Sequence, residues 1–337
     1  MNRERGVARG GAYVVVWSCM LFALQATSVG AAKDRPERVN FFPRVHAGQI
    51  LEYQISYHSD KHIKTDSSVI VAIPNDSAKI DVNALLRLEV LAVQTQGDRA
   101  VIQARTNFEV LGSDSHLSVP QIDPPASQVQ KQDSRGKFVE FDILSDGKLD
   151  HVTGLDTLFP EQQQAWQEWA SRFLLAAALP AHGARIGQKW NSDEPEQAPS
   201  PVAGLRWIRI STYVDDQPCH AMRLTLQGGA VTSDGEPETC AVILTTATLQ
   251  QRSNAKSDTP EDFKLHDLRT AGTASGSNRL ITYISLTTGL LVRATEEATQ
   301  QMNVTVAKAD ASNRVRYDIK AKSHSEVLWV SEIALNP

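Results

Sequence analysis

Residues 50–57 read Ile50-Leu51-Glu52-Tyr53-Gln54-Ile55-Ser56-Tyr57, and their alternation decides the fold. Successive side chains of an extended chain point to opposite faces, so Leu51, Tyr53, Ile55 and Tyr57 share one side and Glu52, Gln54 and Ser56 the other. That pattern predicts a half-buried strand with one apolar and one solvated face. The same period of two returns at Val69 to Ile73, Leu85 to Val93 and Ala100 to Leu111, and beyond residue 203 at Leu205 to Val214, Ala221 to Leu226 and Cys240 to Leu249. Further strand-like runs are Gln301 to Ala307, Val315 to Ala321 and Ser325 to Val330, which makes about a dozen strands.

Turn chemistry joins several of these runs as hairpins. Gln96-Gly97-Asp98 separates two of them, and Ser145-Asp146-Gly147-Lys148 lies between Phe138 to Leu144 and Leu149 to Val152. Thr287-Thr288-Gly289 lies between Leu280 to Leu286 and Leu290 to Glu297. Asp-Gly pairs suit the positive backbone angles of tight turns. The two hairpins with Asp146-Gly147 and Thr288-Gly289 share a texture that is compatible with a duplicated β unit.

One segment follows a different period. Between Pro160 and Leu179 the apolar residues Trp166, Trp169, Ala170, Phe173, Leu174 and Ala177 recur every three or four positions, which predicts an amphipathic helix packed on a sheet. Pro160 suits a first helical turn and Pro180 limits the end. Pro, Ser, Asp and Gln concentrate at 113–136, 191–204 and 251–261, which predicts exposed loops. The fold class that follows is mainly β: antiparallel curved sheets or a barrel built from two strand-rich halves, with one helix near 160–179. The organisation expected is residues 1–32 as a signal peptide, 33–154 as a first β-rich half, 155–204 as helix and linker, and 205–337 as a second β-rich half.

The signal expectation rests on Arg3, Arg5 and Arg9, the apolar run Ala12 to Leu24, and the small residues Gly30-Ala31-Ala32, with cleavage after Ala32. The apolar run is shorter than the roughly 20 residues that span a bilayer, and no later run is long enough either. Removing residues 1–32 takes away three arginines and one glutamate, so 34 basic and 39 acidic residues become 31 and 38 and the formal charge moves from −5 to −7. A mildly acidic chain without a basic, aromatic-interleaved run disfavours nucleic acid as a partner. Cys19 leaves with the signal, and Cys219 and Cys240 remain as an even pair suited to one disulfide in an oxidising compartment.

Familiar catalytic and cofactor patterns fail on spacing. His58-Ser59-Asp60-Lys61-His62 places two imidazoles four apart, but it follows a strand and reads as a solvated polar turn rather than a metal site. Gly272-Thr273-Ala274-Ser275-Gly276 reads as a flexible turn and lacks the geometry of a nucleophile elbow. Paired carboxylates such as Asp215-Asp216 and Glu296-Glu297 read as surface charge. No glycine loop cradles a phosphate, so no cofactor and no metal is expected.

Leu179-Pro180 through Gly187-Gln188-Lys189-Trp190, with Thr287-Thr288-Gly289 and Leu290-Leu291-Val292 further on, resembles a group of exported bacterial β-rich proteins of unknown function. These pair a "proline, then glycine-polar-polar-tryptophan" segment with a later "strand, threonine-glycine, strand" hairpin. The likeness covers about residues 177–306. It implies an envelope location and an antiparallel sheet curved around an apolar interior, and it carries over no catalytic residue. The long 113–136 insertion departs from a compact version of that pattern.

Two functions follow from these readings. The first is an exported envelope protein with a non-catalytic binding or structural role, secreted or periplasmic, which holds an apolar small molecule or an envelope protein. Its ligand would lie between the sheet face of Leu51, Tyr53, Ile55 and Tyr57 and the helical face of Trp166, Trp169 and Phe173. The alternative is a secreted hydrolase whose acids and bases are assembled from distant residues, with His151 and His220 the histidines best placed at strand ends.

Overall fold

The computed structural model describes residues 38–67, 76–96, 99–117, 137–145, 148–158, 166, 170, 179–180, 182–196, 200–225, 231–233, 237–252, 258–310 and 313–334. The expected signal and its cleavage after Ala32, the strand at Val69 to Ile73, and Trp169 and Phe173 lie outside these residues.

Thirteen strands form the sheet: β1 Ile50–Ser67, β2 Asp76–Gln96, β3 Arg99–Leu117, β4 Val139–Ile143, β5 Leu149–Thr153, β6 Lys189–Pro195, β7 Leu205–Cys219, β8 Met222–Thr225, β9 Val231–Ser233, β10 Glu238–Gln251, β11 Leu268–Ser285, β12 Leu291–Lys308 and β13 Val315–Ala334. Eleven of them run β5-β4-β3-β2-β1-β13-β12-β11-β10-β7-β6, with β8 and β9 off this path. Every pairing along the path is antiparallel. β8 is the exception to the antiparallel expectation, because it lies parallel to the end of β13. The segments 33–154 and 205–337 meet where β1 pairs with β13 from Glu52↔Val330 to Ser67↔Val315.

A barrel is not borne out: among the described residues the eleven-strand path is open, ending at β5 and β6. Closure requires outer strands of matching length and stagger. β5 has 5 residues and β6 has 7, against 18–21 in β1, β2, β3, β11, β12 and β13. Both outer strands also resist pairing with another chain. β5 is exposed along most of its length and is broken by His151 at φ 50, while β6 carries Lys189, Asp193 and Glu194 and ends at Pro195.

Several expected loops are strand. The His58 to His62 stretch lies inside β1, the Gly272 to Gly276 stretch inside β11, residues 113–117 in β3, and residues 191–195 in β6. A sheet with one solvated face tolerates polar outward residues. Inside β1 and β11, hydrogen bonds to both neighbouring strands also carry the chain through residues of weak intrinsic propensity, while residues 113–117 pair with β2 alone and residues 191–195 with β7 alone. The hairpins hold as read: Gln96 pairs with Arg99, Ile143 with Leu149, and Ile284 with Leu291. Helix is minimal among the described residues: a short Leu155–Thr157 turn, Glu261–Leu265, and helical backbone at Trp166 and Ala170.

The inner face gathers the core. Leu51, Tyr53, Ile55, Leu86, Phe141, Trp166 and Val327 belong to one cluster. Phe41, Leu179, Tyr213, Ile243 and Ile284 form a second. A third, further along the strands, holds Leu205, Trp207, Leu249, Ala274 and Val304. Cys219 and Cys240 come together at disulfide distance, with Cα atoms 5.7 Å apart. They pin the end of β7 beside the start of β10 and so close the excursion that carries β8 and β9. Under denaturing, non-reducing conditions the protein should show no titratable thiol at these positions. Replacing both by alanine should cost about 3 kcal/mol in urea unfolding; two reactive thiols would refute the bridge.

Candidate functional site

Register makes the inner face a lattice of rows, because directly paired residues point the same way. Tyr53 lies between Leu86 on β2 and Trp329 on β13, and Ile55 is opposite Val327. Above this row sits Trp166, whose Nε1 donates to Thr106 Oγ1 at 2.9 Å and whose ring meets Phe141 edge-on at 5.6 Å. Leu51, Tyr53, Ile55 and Trp166 are all buried, and burial pushes the Tyr53 phenol well above its ordinary range. Tyr57, two residues on, is half-buried. The structure therefore brings four of the expected face residues into one packed cluster, with Tyr57 at its margin.

At Tyr57 polar side chains enter the inner face. Tyr57 shares its row with Ser325, Glu296, Leu280, Thr245 and Ser211, and the next row holds Ser59, Ser323, Ala298, Asn278, Ala247 and Arg209. Glu296 is 1% exposed and accepts a hydrogen bond from Asn278 Nδ2. Ser211 and Thr245 share a 2.8 Å hydroxyl contact, and buried Arg209 pairs with Glu194. Further still the face is apolar again: Ile63, Ile319 and Met302 lie in one row and are half-buried.

Glu296 corrects an expectation, since the adjacent pair Glu296-Glu297 reads as surface charge and Glu296 is buried. Glu297 is exposed, but Glu296 follows the inward parity of Val292, Ala294 and Ala298. That parity was the available signal.

The histidines read as possible bases lie apart from this face. His151 is exposed on β5, with Nδ1 2.8 Å from Asp142 Oδ2 and Nε2 4.0 Å from Asp150. The hydrogen bond to Asp142, with help from the charge of Asp150, raises its pKa above the ordinary histidine value. His220 follows the end of β7 and is half-buried. His58 lies on the outward face with Nδ1 2.5 Å from Asp81 and Nε2 3.4 Å from Asp60. Among the described residues no group of three or more metal-ligating side chains is placed to hold an ion, and no helix is long and apolar enough to cross a membrane.

No protein-family model and no curated protein sequence matches the chain. Several solved structures align with the chain at low identity. A lipovitellin structure, described for its lipid–protein interactions, aligns with a TM-score of 0.37 at 12% identity over 87% of this chain. The chain spans 26% of that protein's length. A putative lipoprotein from Parabacteroides distasonis aligns at 0.22 and 8% identity, over 87% of this chain and 97% of its own. A putative exported protein with a YmcC-like fold from Bacteroides fragilis aligns at 0.21 and 9%, over 83% and 97%.

Proposed function

We propose that this chain is an exported, non-catalytic binding protein of the cell envelope that holds an apolar ligand on the inner face of its sheet. The observation that carries the reading is the one-sided face itself. Leu51, Tyr53 and Ile55 pack beneath Trp166, and the same face continues past Tyr57 to a second, half-buried apolar row at Ile63, Ile319 and Met302. Extended apolar surface left partly uncovered on a soluble chain marks a binding surface. The buried Cys219–Cys240 pair supports an oxidising compartment, because such bridges persist outside the reducing cytosol.

The test is to purify the natively exported protein, extract it with organic solvent and identify what leaves by mass spectrometry. A lipid or other apolar molecule at close to one per chain is expected, and Met302→Glu should lower that occupancy at least about tenfold by placing a charge in the apolar row. Recovery of nothing apolar, from a protein whose unfolding transition is intact, would overturn the reading.

A further inference from the structure

The seam between β1 and β13 gathers three serines on the inner face. Register sets Ser59 opposite Ser323, and Ser325 opposite Tyr57 one row back. Directly paired residues share a face, and Ser59 and Ser325 carry the inward parity of Ile55 and Val327. Ser325 is 2% exposed and Ser59 7%, while Ser323 is half-buried. Among the described residues none of these three hydroxyls makes a hydrogen bond. A buried hydroxyl without a partner is a standing cost, which a hydrogen-bonding occupant removes.

Charge of both signs flanks the seam. Glu296 lies opposite Ser325 on β12 and accepts from Asn278. Lys61 follows Ser59 on the inward side of β1 and is exposed, and the register places Asp76 a row away from it, opposite Ile63. Apolar surface adjoins the serines in two directions. Ile80, 40% exposed, stands opposite Ser59 on β2, and the half-buried row of Ile63, Ile319 and Met302 lies beyond Lys61.

We propose that the apolar ligand of the inner face carries an uncharged, hydrogen-bonding head of the partial-acylglycerol kind, which seats on Ser59, Ser323 and Ser325 with its chain over Ile80, Ile63, Ile319 and Met302. This rests on the inner face being a binding face, and it names the class of ligand held there. Serine hydroxyls both donate and accept, so they satisfy the hydroxyls and ester oxygens of such a head without stripping water from an ion. A carboxylate or phosphate head would stand beside the Glu296 carboxylate, and an ammonium head beside Lys61, so a head of either charge meets a like one. Spacing favours several oxygens over one. Ser59 and Ser325 are diagonal neighbours across the seam, about 7–8 Å apart, a span bridged by two adjacent oxygens that each hydrogen-bond one serine.

Isothermal titration of the protein stripped of ligand, with its unfolding transition intact, tests this with three probes of one chain length: 1-decanoylglycerol, decanoate and decyltrimethylammonium. The acylglycerol should bind at least about tenfold more tightly than either ion. Ser59→Ala/Ser325→Ala should erase that preference by weakening the acylglycerol alone. Because both hydroxyls lack a partner in the free protein, the same double variant should unfold at an unchanged or higher temperature. A preference for either ion, a preference for the acylglycerol that survives in the double variant, or a double variant that unfolds earlier yet binds all three probes as before would each overturn the proposal; the last would make the serines holders of structural water. Met302→Glu should weaken both the acylglycerol and decanoate. Probes that respond to Met302→Glu but show no preference among heads would leave the apolar face standing and sink the head assignment, whereas binding of none of the three would overturn both.

Discussion

Phe41→Ala should lower the unfolding free energy of the protein by about 3–5 kcal/mol, read from urea transitions monitored by tryptophan fluorescence. The residue precedes the first strand and has no periodic context in the sequence, yet it is 1% exposed. Its ring meets Tyr213 edge-on at 5.3 Å and joins Leu179, Ala241, Ile243 and Ile284. Backbone bonds hold the segment around it in place. Val39 and Ala184 exchange two bonds of 2.9 Å, and Arg44 N donates to Thr288 O at 2.7 Å. Arg44 Nη1 reaches Thr287 O at 2.7 Å. Residues 38–44 therefore act as a strap that ties β7, β10 and the β11–β12 hairpin together at one end of the inner face. Truncating the ring removes the strap's apolar anchor and leaves a cavity that the hydrogen-bonded backbone cannot collapse to fill. Ile186→Ala, at a residue 50% exposed, is the control and should cost no more than about 0.5 kcal/mol. A Phe41→Ala loss under about 1 kcal/mol would mean that the strap contributes little.

The strap also marks where sequence reasoning stops. Alternation made most strands legible, because each turn of the parity exchanges a core position for a solvated one and Leu51, Tyr53 and Ile55 obey it strictly. The hairpin at Thr287-Thr288-Gly289 was legible from its turn chemistry. Strand length was not. Past Tyr57 the outward residues are His58, Asp60 and His62, and the inward ones are Ser59, Lys61 and Ile63, so the polarity contrast disappears while the backbone pairing with β13 continues to Ser67. Long-range ladder bonds, not local preference, carry these ends. The openness of the sheet was hidden for a similar reason, since closure depends on how the short β5 and β6 match, and no local pattern records that. Of the candidate site, the apolar zone was readable from parity. The buried Glu296 was passed over because an adjacent acidic pair looks like surface charge until each member is assigned a face. The serine seam was unreadable before the pairing of β1 with β13 placed Ser59 beside the distant Ser323.

Gly289→Ala should cost about 2–5 kcal/mol, and it should do so through the same strap. Gly289 closes the β11–β12 hairpin at φ +70, a region where an alanine is strained by about 1–2 kcal/mol. A β-carbon there would also meet the Phe42 carbonyl oxygen at 2.4 Å and the Phe41 carbonyl oxygen at 3.2 Å, so the strap itself must move. The hairpin cannot yield in its place. Gly289 N donates to Ser285 O at 2.8 Å, and Ser285 N donates to Leu290 O at 2.9 Å. Buried Ser285 Oγ accepts from the amides of Thr287 and Thr288 and donates to Glu238. Gly48 supplies the comparison, because it sits at φ +81 with nothing within 4 Å of an added β-carbon. Gly48→Ala should therefore show the backbone strain alone, about 1–2 kcal/mol, and the excess at Gly289 measures the collision with the strap. If that excess arises from displacing residues 41 and 42, Gly289→Ala and Phe41→Ala disrupt one contact, and the double variant should lose less than the sum of the single losses by at least about 1 kcal/mol. Strict additivity would place the damage at two independent sites and remove the strap as the element that couples the hairpin to β7.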